Sequence, residues 1–337
     1  MIIAGIDEAG YGPTLGPLVV SVSVFRTPDG EHDAAPGALP DLWRLLEKAV
    51  CRKPDGRRVP VSDSKKLFNQ KKGTCDLEEG VLPFLSLDEG TCPRDLRSFL
   101  RRVARRDLAG DAAGAAEPEA YLDEYPWYRG RNAEIPRSTF PNVVTSRARR
   151  LAEALSAARV ESLGLDAWPV EVLEFNRGLA DSRNKASVSF AAVGAFLTRL
   201  WRGFEGERVE VFVDRQGGRE HYGPLLFRTL APRGIRITEE TDAISSYDVL
   251  RRRGGAAFRV TFATDCEERC FPVALASMLS KYLREVHMFL FNQFWREHEA
   301  SLKPTAGYAT DARRFLGEIA PLRLGLGIDD ALLVRLR

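Results

Sequence analysis

Five apolar residues, Ile2 to Ile6, run directly into two consecutive acids, Asp7 and Glu8, and then into a turn crowded with glycine and proline between Gly10 and Pro17. A second apolar run rich in β-branched residues, Leu18 to Phe25, follows at once. This pattern predicts two buried strands joined by a tight connection, with carboxylates delivered at the end of the first. Ionised acids beside a buried sheet edge are costly to desolvate, so the arrangement calls for a compensating cation. Val209–Asp214 and Phe258–Asp265 repeat the motif of an alternating strand that ends on an aspartate. Lys185–Trp201 and Phe271–Phe294 carry helical apolar spacing, the second opening on Pro272, which suits a first helical turn. Strands alternating with helices predict an α/β chain with a mixed central sheet, whose ligands sit at the C-terminal strand ends.

The remaining composition excludes more than it assigns. The chain has 337 residues, 44% of them apolar and 28% charged, which is ordinary for a globular protein that buries a core. A net charge of +2 gives no global basic or acidic signature, so any nucleic-acid surface has to be local. Five cysteines without framework spacing suit reduced thiols. Cys266 and Cys270 amount to half a zinc site with no neighbouring His pair or second Cys pair. The opening residues lack the basic and apolar regions of a signal peptide, and no run reaches the roughly 20 apolar residues that span a bilayer. The expectation is a cytoplasmic protein with no membrane partner.

Between residues 73 and 167 the texture changes to an Ala/Gly stretch at Ala109–Ala116 and an aromatic, proline-broken segment around Pro126. We read 73–167 as an inserted, mainly helical subdomain or lid, and 1–72 with 168–337 as one discontinuous domain. Arg97, Arg101 and Arg105 recur at helical spacing beside Arg102 and Arg106, either a phosphate-tracking stripe or a solvated face. Tyr121, Tyr125, Trp127 and Tyr128 are either a base-stacking platform or a small satellite core.

Chemistry concentrates on the acids. Asp7, Glu8, Asp214 and Asp265 converge at one sheet edge if the three strands are neighbours. Four carboxylates around one cavity repel unless cations lie between them, and Mg²⁺ or Mn²⁺ prefers such oxygen donors. Two metals roughly 3.5–4 Å apart are the recurrent solution for in-line hydrolysis of a phosphodiester. No Walker loop competes, because Gly10-Tyr11-Gly12 lacks both the full glycine spacing and the following Lys-Ser/Thr.

Several segments then resemble the type 2 ribonuclease H family, ribonuclease HII. They are Asp7-Glu8-Ala9-Gly10 with the later Leu15-Gly16-Pro17-Leu18-Val19-Val20, Asp63-Ser64-Lys65-Lys66-Leu67, Val213-Asp214, Ala276-Ser277 with Lys281, Arg284 and Glu285, and Gly307-Tyr308-Ala309-Thr310. The resemblance implies a ribonuclease H-like fold and a metal-dependent endonuclease. Its substrate would be the RNA strand, or embedded ribonucleotides, of an RNA–DNA hybrid, cut to leave 3′-hydroxyl and 5′-phosphate ends. It implies Asp7, Glu8 and Asp214 as metal ligands. For the fourth acid the family spacing points to Glu267, whereas the strand pattern favours Asp265, which we take. Gly10, Tyr11, Gly12, Lys65, Lys66, Ser277, Lys281 and Tyr308 are the matching candidates for substrate contact, with Lys185 a further lysine of interest.

Within the matched motifs Glu285 replaces an aspartate and Ala309 a proline, and three departures go further. Tyr11 replaces the arginine usual in that family's loop, the span from Glu8 to Asp214 exceeds the family's mostly through residues 73–167, and Leu322 to Arg337 shows no recognisable partner-binding pattern and reads as a capping helix. Two rival readings follow, a ribonuclease H-fold nuclease with a changed nucleic-acid substrate and a nucleic-acid-binding relative without turnover.

Overall fold

A computed structural model describes residues 1–28, 39–68, 73–87, 89–103, 117–215, 219–251 and 254–336. Its strands are β1 (Ile2–Ala9), β2 (Leu18–Arg26), β3 (Val50–Cys51), β4 (Val59–Pro60), β5 (Glu161–Val170), β6 (Val209–Asp214), β7 (Gly234–Glu240), β8 (Ile244–Leu250) and β9 (Phe258–Ala263). Its helices are α1 (Leu42–Leu45), α2 (Ser64–Leu67), α3 (Cys75–Leu85), α4 (Leu96–Val103), α5 (Pro141–Ala157), α6 (Val172–Ser182), α7 (Lys185–Gly203), α8 (Gly223–Leu230), α9 (Cys266–Arg269), α10 (Phe271–His298), α11 (Ala309–Gly325) and α12 (Asp330–Leu333).

Seven strands form one mixed sheet in the order β5-β2-β1-β6-β9-β8-β7, and helices cover both faces. β1, β6 and β9 are parallel neighbours at its centre, while the outer pairings are antiparallel. The alternation within β1 and β2 divides their side chains cleanly between two cores. Ile2, Ala4 and Ile6, with Leu18, Val20, Val22 and Val24, join the core that contains Val193, Phe196 and Leu197 of α7.

The other face lies against α10 at unusually close range. A Cβ on Gly5 would fall 2.1 Å from the Val273 nitrogen and 2.2 Å from the Pro272 carbonyl carbon, so only glycine admits the helix there. Serines line the rest of the contact. Ser23 Oγ donates to the Pro272 carbonyl at 2.7 Å, and Ser280 Oγ meets Ser21 Oγ at 2.8 Å and donates to the Asp7 carbonyl at 3.1 Å. Phe271 then fills the widening gap beyond, edge-on to Phe25 and Trp43. Pro272 sits in the first turn of α10, where its missing N–H costs no hydrogen bond.

α1 stops at Leu45, and Val50–Cys51 pairs in parallel with Val59–Pro60. α10 runs one turn beyond the expected Phe294, to His298. β5 was not expected at all. It is the sheet's outer strand beside β2, and it straddles residue 167, where the sequence reading placed a domain boundary.

Helices α3, α4 and α5 share one apolar core with α10. The buried Glu78 carboxylate ties them together, accepting backbone N–H bonds from Arg137, Ser138 and Thr139 at 2.7–3.0 Å and the Tyr282 hydroxyl of α10 at 3.2 Å. Of the two readings of the aromatic segment, packing wins. Tyr121, Tyr125, Trp127 and Tyr128 are all buried, with Trp127 edge-on to Phe291 and the Tyr121 hydroxyl 2.7 Å from His287 Nε2. The α4 arginines are engaged in ion pairs, Arg97 with Asp123, Arg101 with Glu119 and Arg102 with Glu89. Arg105, Arg106 and the Ala109–Ala116 stretch lie outside the described residues.

The contact at Gly5 is testable. Gly5→Ala forces backbone against backbone where no rotamer change relieves it, and it is expected to destabilise the protein by about 3 kcal/mol or more. Urea unfolding measures this. Gly12→Ala, which meets nothing within 4 Å, is the control that should unfold close to wild type.

Candidate active site

The parallel register of the central strands brings the acids to one edge. Ile6 pairs with Val213, so Asp7 and Asp214 each lie one residue further along neighbouring strands, and Asp214 pairs in turn with Ala263 of β9. Asp7 is only 6% exposed. Burial is the main cause that holds its carboxyl well above the usual range, and the charge of Asp214 adds to it. A hydrogen bond from Ser277 and the Glu8 N–H, 2.6 Å from Asp7 Oδ1, pull the other way. Asp214, half-buried, is pushed up to about 6, first by burial and then by the charge of Glu267. It accepts the Cys266 N–H at 3.3 Å.

Glu267 is 5% exposed, its Oε1 lies 3.6 Å from Lys65 Nζ, and its Oε2 is buried without a hydrogen-bond partner. Asp265 sits differently. β9 ends at Ala263, the chain turns through a left-handed Asp265 at φ 51°, and that side chain is exposed. One turn of α9 then carries Glu267 back toward Asp214. The structure thus groups Asp7, Glu8, Asp214 and Glu267, with Asp265 at the rim. The alternating pattern of Phe258–Asp265 hides this, because alternation does not reveal where a chain leaves the sheet.

Lys65 is drawn to the acids. Burial lowers its affinity for a proton, but Glu267, Asp63, Asp7 and Asp214 outweigh that and raise it. Asp63 caps α2 through the Lys65 N–H at 2.8 Å, and Ser64 Oγ lies 3.0 Å from Ser277 Oγ, which docks this short helix on α10 beside Asp7. Lys66 instead pairs with Glu268, and Lys281 pairs with Glu285 at 2.7 Å under the Phe68 ring. Lys185 is the first residue of α7, capped by Asn184.

Gly10 has φ 88°, and a Cβ there would stand 2.4 Å from Arg284 Nε, so the turn after Glu8 requires glycine. Tyr11 is half-buried against the α7-side core, and burial and Glu8 raise its hydroxyl pKa while Arg219 opposes them. Arg219 went unnoticed in the sequence because nothing local marks it. Tyr308, half exposed, caps α11 beside the same loop.

Clustered carboxylates, with Asp7 and Asp214 both raised by neighbouring acids, together with an orphaned Glu267 oxygen, fit hard divalent cations in their chemistry. Among the described residues, ligand atoms of three His, Cys, Asp or Glu side chains all come within 4.8 Å of one another not in the Asp7 group but at Cys75, Asp76 and Glu79. There, however, Glu79 is already held by Arg147 at 2.8 Å and by the Thr139 hydroxyl at 3.0 Å. The Asp7 group is wider than that, and its Glu267 Oε2 has no hydrogen-bond partner in the structure.

Fold and site together describe a mixed α/β protein with a seven-stranded sheet and an acidic cluster at its parallel strand ends. No family model matches the chain, and no curated protein matches its sequence. Among solved structures, ribonuclease HII of Archaeoglobus fulgidus, determined in a complex with PCNA, is 15% identical over 100% of this chain and 95% of its own, with a TM-score of 0.40. Ribonuclease H2 of Pyrococcus horikoshii is 13% identical over 99% and 92%, at 0.47. Ribonuclease H3 of Aquifex aeolicus is 14% identical over 99% and 71%, at 0.37. Among the described residues no helix is long and apolar enough to cross a membrane.

Because the Asp214 pKa is raised, the folded metal-free protein favours the protonated acid. The penalty is absent below the usual carboxylate pKa of about 4 and complete above about 6. Asp214→Asn should therefore stabilise the metal-free protein by about 1–3 kcal/mol above that range and by little below it. Melting curves in EDTA at both extremes read the effect, and added Mn²⁺ should reverse the order by stabilising only the wild type.

Proposed function

We propose that the protein is a divalent-metal-dependent endonuclease of the ribonuclease H type that hydrolyses the RNA strand of an RNA–DNA hybrid, or a strand at embedded ribonucleotides. The observation that carries this reading is the grouping of buried Asp7 and Glu267 with half-buried Asp214, like charges gathered where the parallel pairing of β1 and β6 ends. Asp7, Glu8, Asp214 and Glu267 are the residues that would hold Mg²⁺ or Mn²⁺, with Glu267 in the place the strand pattern gave to Asp265. Bound there, such cations would lower the pKa of an attacking water and neutralise charge on the leaving oxygen.

The chain's own groups supply the rest. Asp7 and Asp214 are fixed by sheet register, so the donor set is preorganised before substrate arrives. Lys65, already drawn to the cluster, offers a compact cation to a non-bridging phosphate oxygen. Ser277 and Ser64 hold Asp7 and the Lys65 helix in one frame. The Gly10–Gly12 turn permits close backbone approach to a sugar, and Tyr11 presents a ring and a hydroxyl where the related family has a guanidinium.

Cleavage assays on a hybrid, a duplex with one embedded ribonucleotide and a plain DNA duplex test the reading. Asp214→Asn and Glu267→Gln should each lower the rate on the preferred substrate at least about a hundredfold, while Asp265→Asn keeps most of it. A folded Asp214→Asn enzyme that cuts as fast as wild type would refute the assignment. Strong loss in Asp265→Asn with little in Glu267→Gln would return the fourth position to Asp265.

A further inference from the structure

Beyond α12 the chain runs back to the loop that follows Glu8. Asn176 of α6 grips this segment, its Nδ2 donating to the Ala331 and Val334 carbonyls at 3.3 and 2.9 Å and its Oδ1 accepting the Leu336 N–H at 2.8 Å. Between these anchors Arg335, 3% exposed, turns inward. Its backbone N–H donates to the Thr14 carbonyl at 2.9 Å. Its guanidinium donates to the Gly10 carbonyl at 2.6 Å through Nη1 and to the Gly16 carbonyl at 2.8 Å through Nε, with Nη2 also on Gly16.

The same loop is held from its other side. Arg284 Nη2 donates to the Leu15 carbonyl at 3.2 Å, and the Thr14 and Leu15 N–H groups donate to the Gly307 carbonyl at 2.7 and 3.2 Å. A planar fork is the side chain that can join two carbonyls six residues apart while leaving neither unsatisfied. Burying it is costly, and Phe175 beneath the guanidinium and the buried Glu171 carboxylate nearby offset part of that cost.

We propose that Arg335 is a positioning residue for the substrate loop. By tying Gly10 to Gly16 it fixes where Gly10, Tyr11 and Gly12 stand against the nucleic acid, some 325 residues away in the chain. The consequence for substrate rests on the proposed function; the tie itself does not.

The experiment therefore has two readouts. Hydrogen–deuterium exchange of the 9–17 segment should quicken in Arg335→Ala, while the segment around Asp214 keeps wild-type protection. The dissociation constant for an RNA–DNA hybrid, measured in EDTA so that nothing is cut, should rise about tenfold or more. Millimolar guanidinium, small enough for the cavity left by the side chain, should restore much of the binding where methylammonium does not. Arg335→Lys should resemble the alanine variant, since one ammonium cannot span both carbonyls. Asn176→Ala, which loosens the tail but keeps the guanidinium, gives a smaller effect and serves if Arg335→Ala does not fold.

Unchanged exchange in the loop overturns the proposal, as does weakened binding that guanidinium leaves unimproved. Faster exchange spread over the whole sheet also overturns it, because the tail then supports the fold and not the loop. A wild type that neither binds nor cuts a hybrid refutes the proposed function, and the exchange data still decide the tie.

Discussion

Helix α10 touches the sheet at backbone range, and most of the molecule is arranged around that contact. Gly5 lets the start of the helix reach β1, and Ser21, Ser23 and Ser280 replace apolar bulk with short hydrogen bonds. The closeness then has consequences at both ends of the interface. At the sheet's carboxyl edge Ser277 meets Asp7, and through Ser64 it docks the helix that carries Lys65. On its outer side α10 offers Leu275, Met278, Tyr282 and Phe291 as the floor on which α3, α4, α5 and the aromatic segment settle. A helix set further from the sheet would leave room for larger residues but would part Asp7 from its hydroxyl partner.

The parts of this arrangement that depend on local pattern were legible in the sequence. β1 and β2 announce themselves as apolar runs, β6 and β9 by alternation, and α7 and α10 by apolar periodicity. Asp7 and Asp214 follow because each directly succeeds an apolar run in the sequence. β5 was not legible, since its Gly164, Asp166 and Pro169 are poor strand formers that only pairing with β2 holds extended. Glu267 was ambiguous for the converse reason. Its place depends on a left-handed turn at Asp265, a residue type that tolerates that conformation but does not announce it. Arg335 carried no signal, because its acceptors are backbone carbonyls that any residue could offer.

Charge is distributed by the same logic. The α4 arginines look like a free basic stripe when read along the helix, yet Asp123, Glu119 and Glu89 meet them from other parts of the fold. The near balance of 49 basic and 47 acidic residues therefore reflects two different uses of acids. Many neutralise structural arginines, while the Asp7 group is concentrated where the fold supplies mainly Lys65 against several carboxylates.

The parallel pairing of β1 with β6 joins segments separated by about two hundred residues, and Glu267 belongs to a later segment still. In the unfolded chain these carboxylates are ordinary, solvated and mutually remote. Their repulsion appears only when the long loops have closed and the central strands are in register, which for non-local topology is a late event. The acidic cluster is thus a load placed on the final stage of assembly. The early contacts, such as the β1–β2 hairpin, form without meeting it.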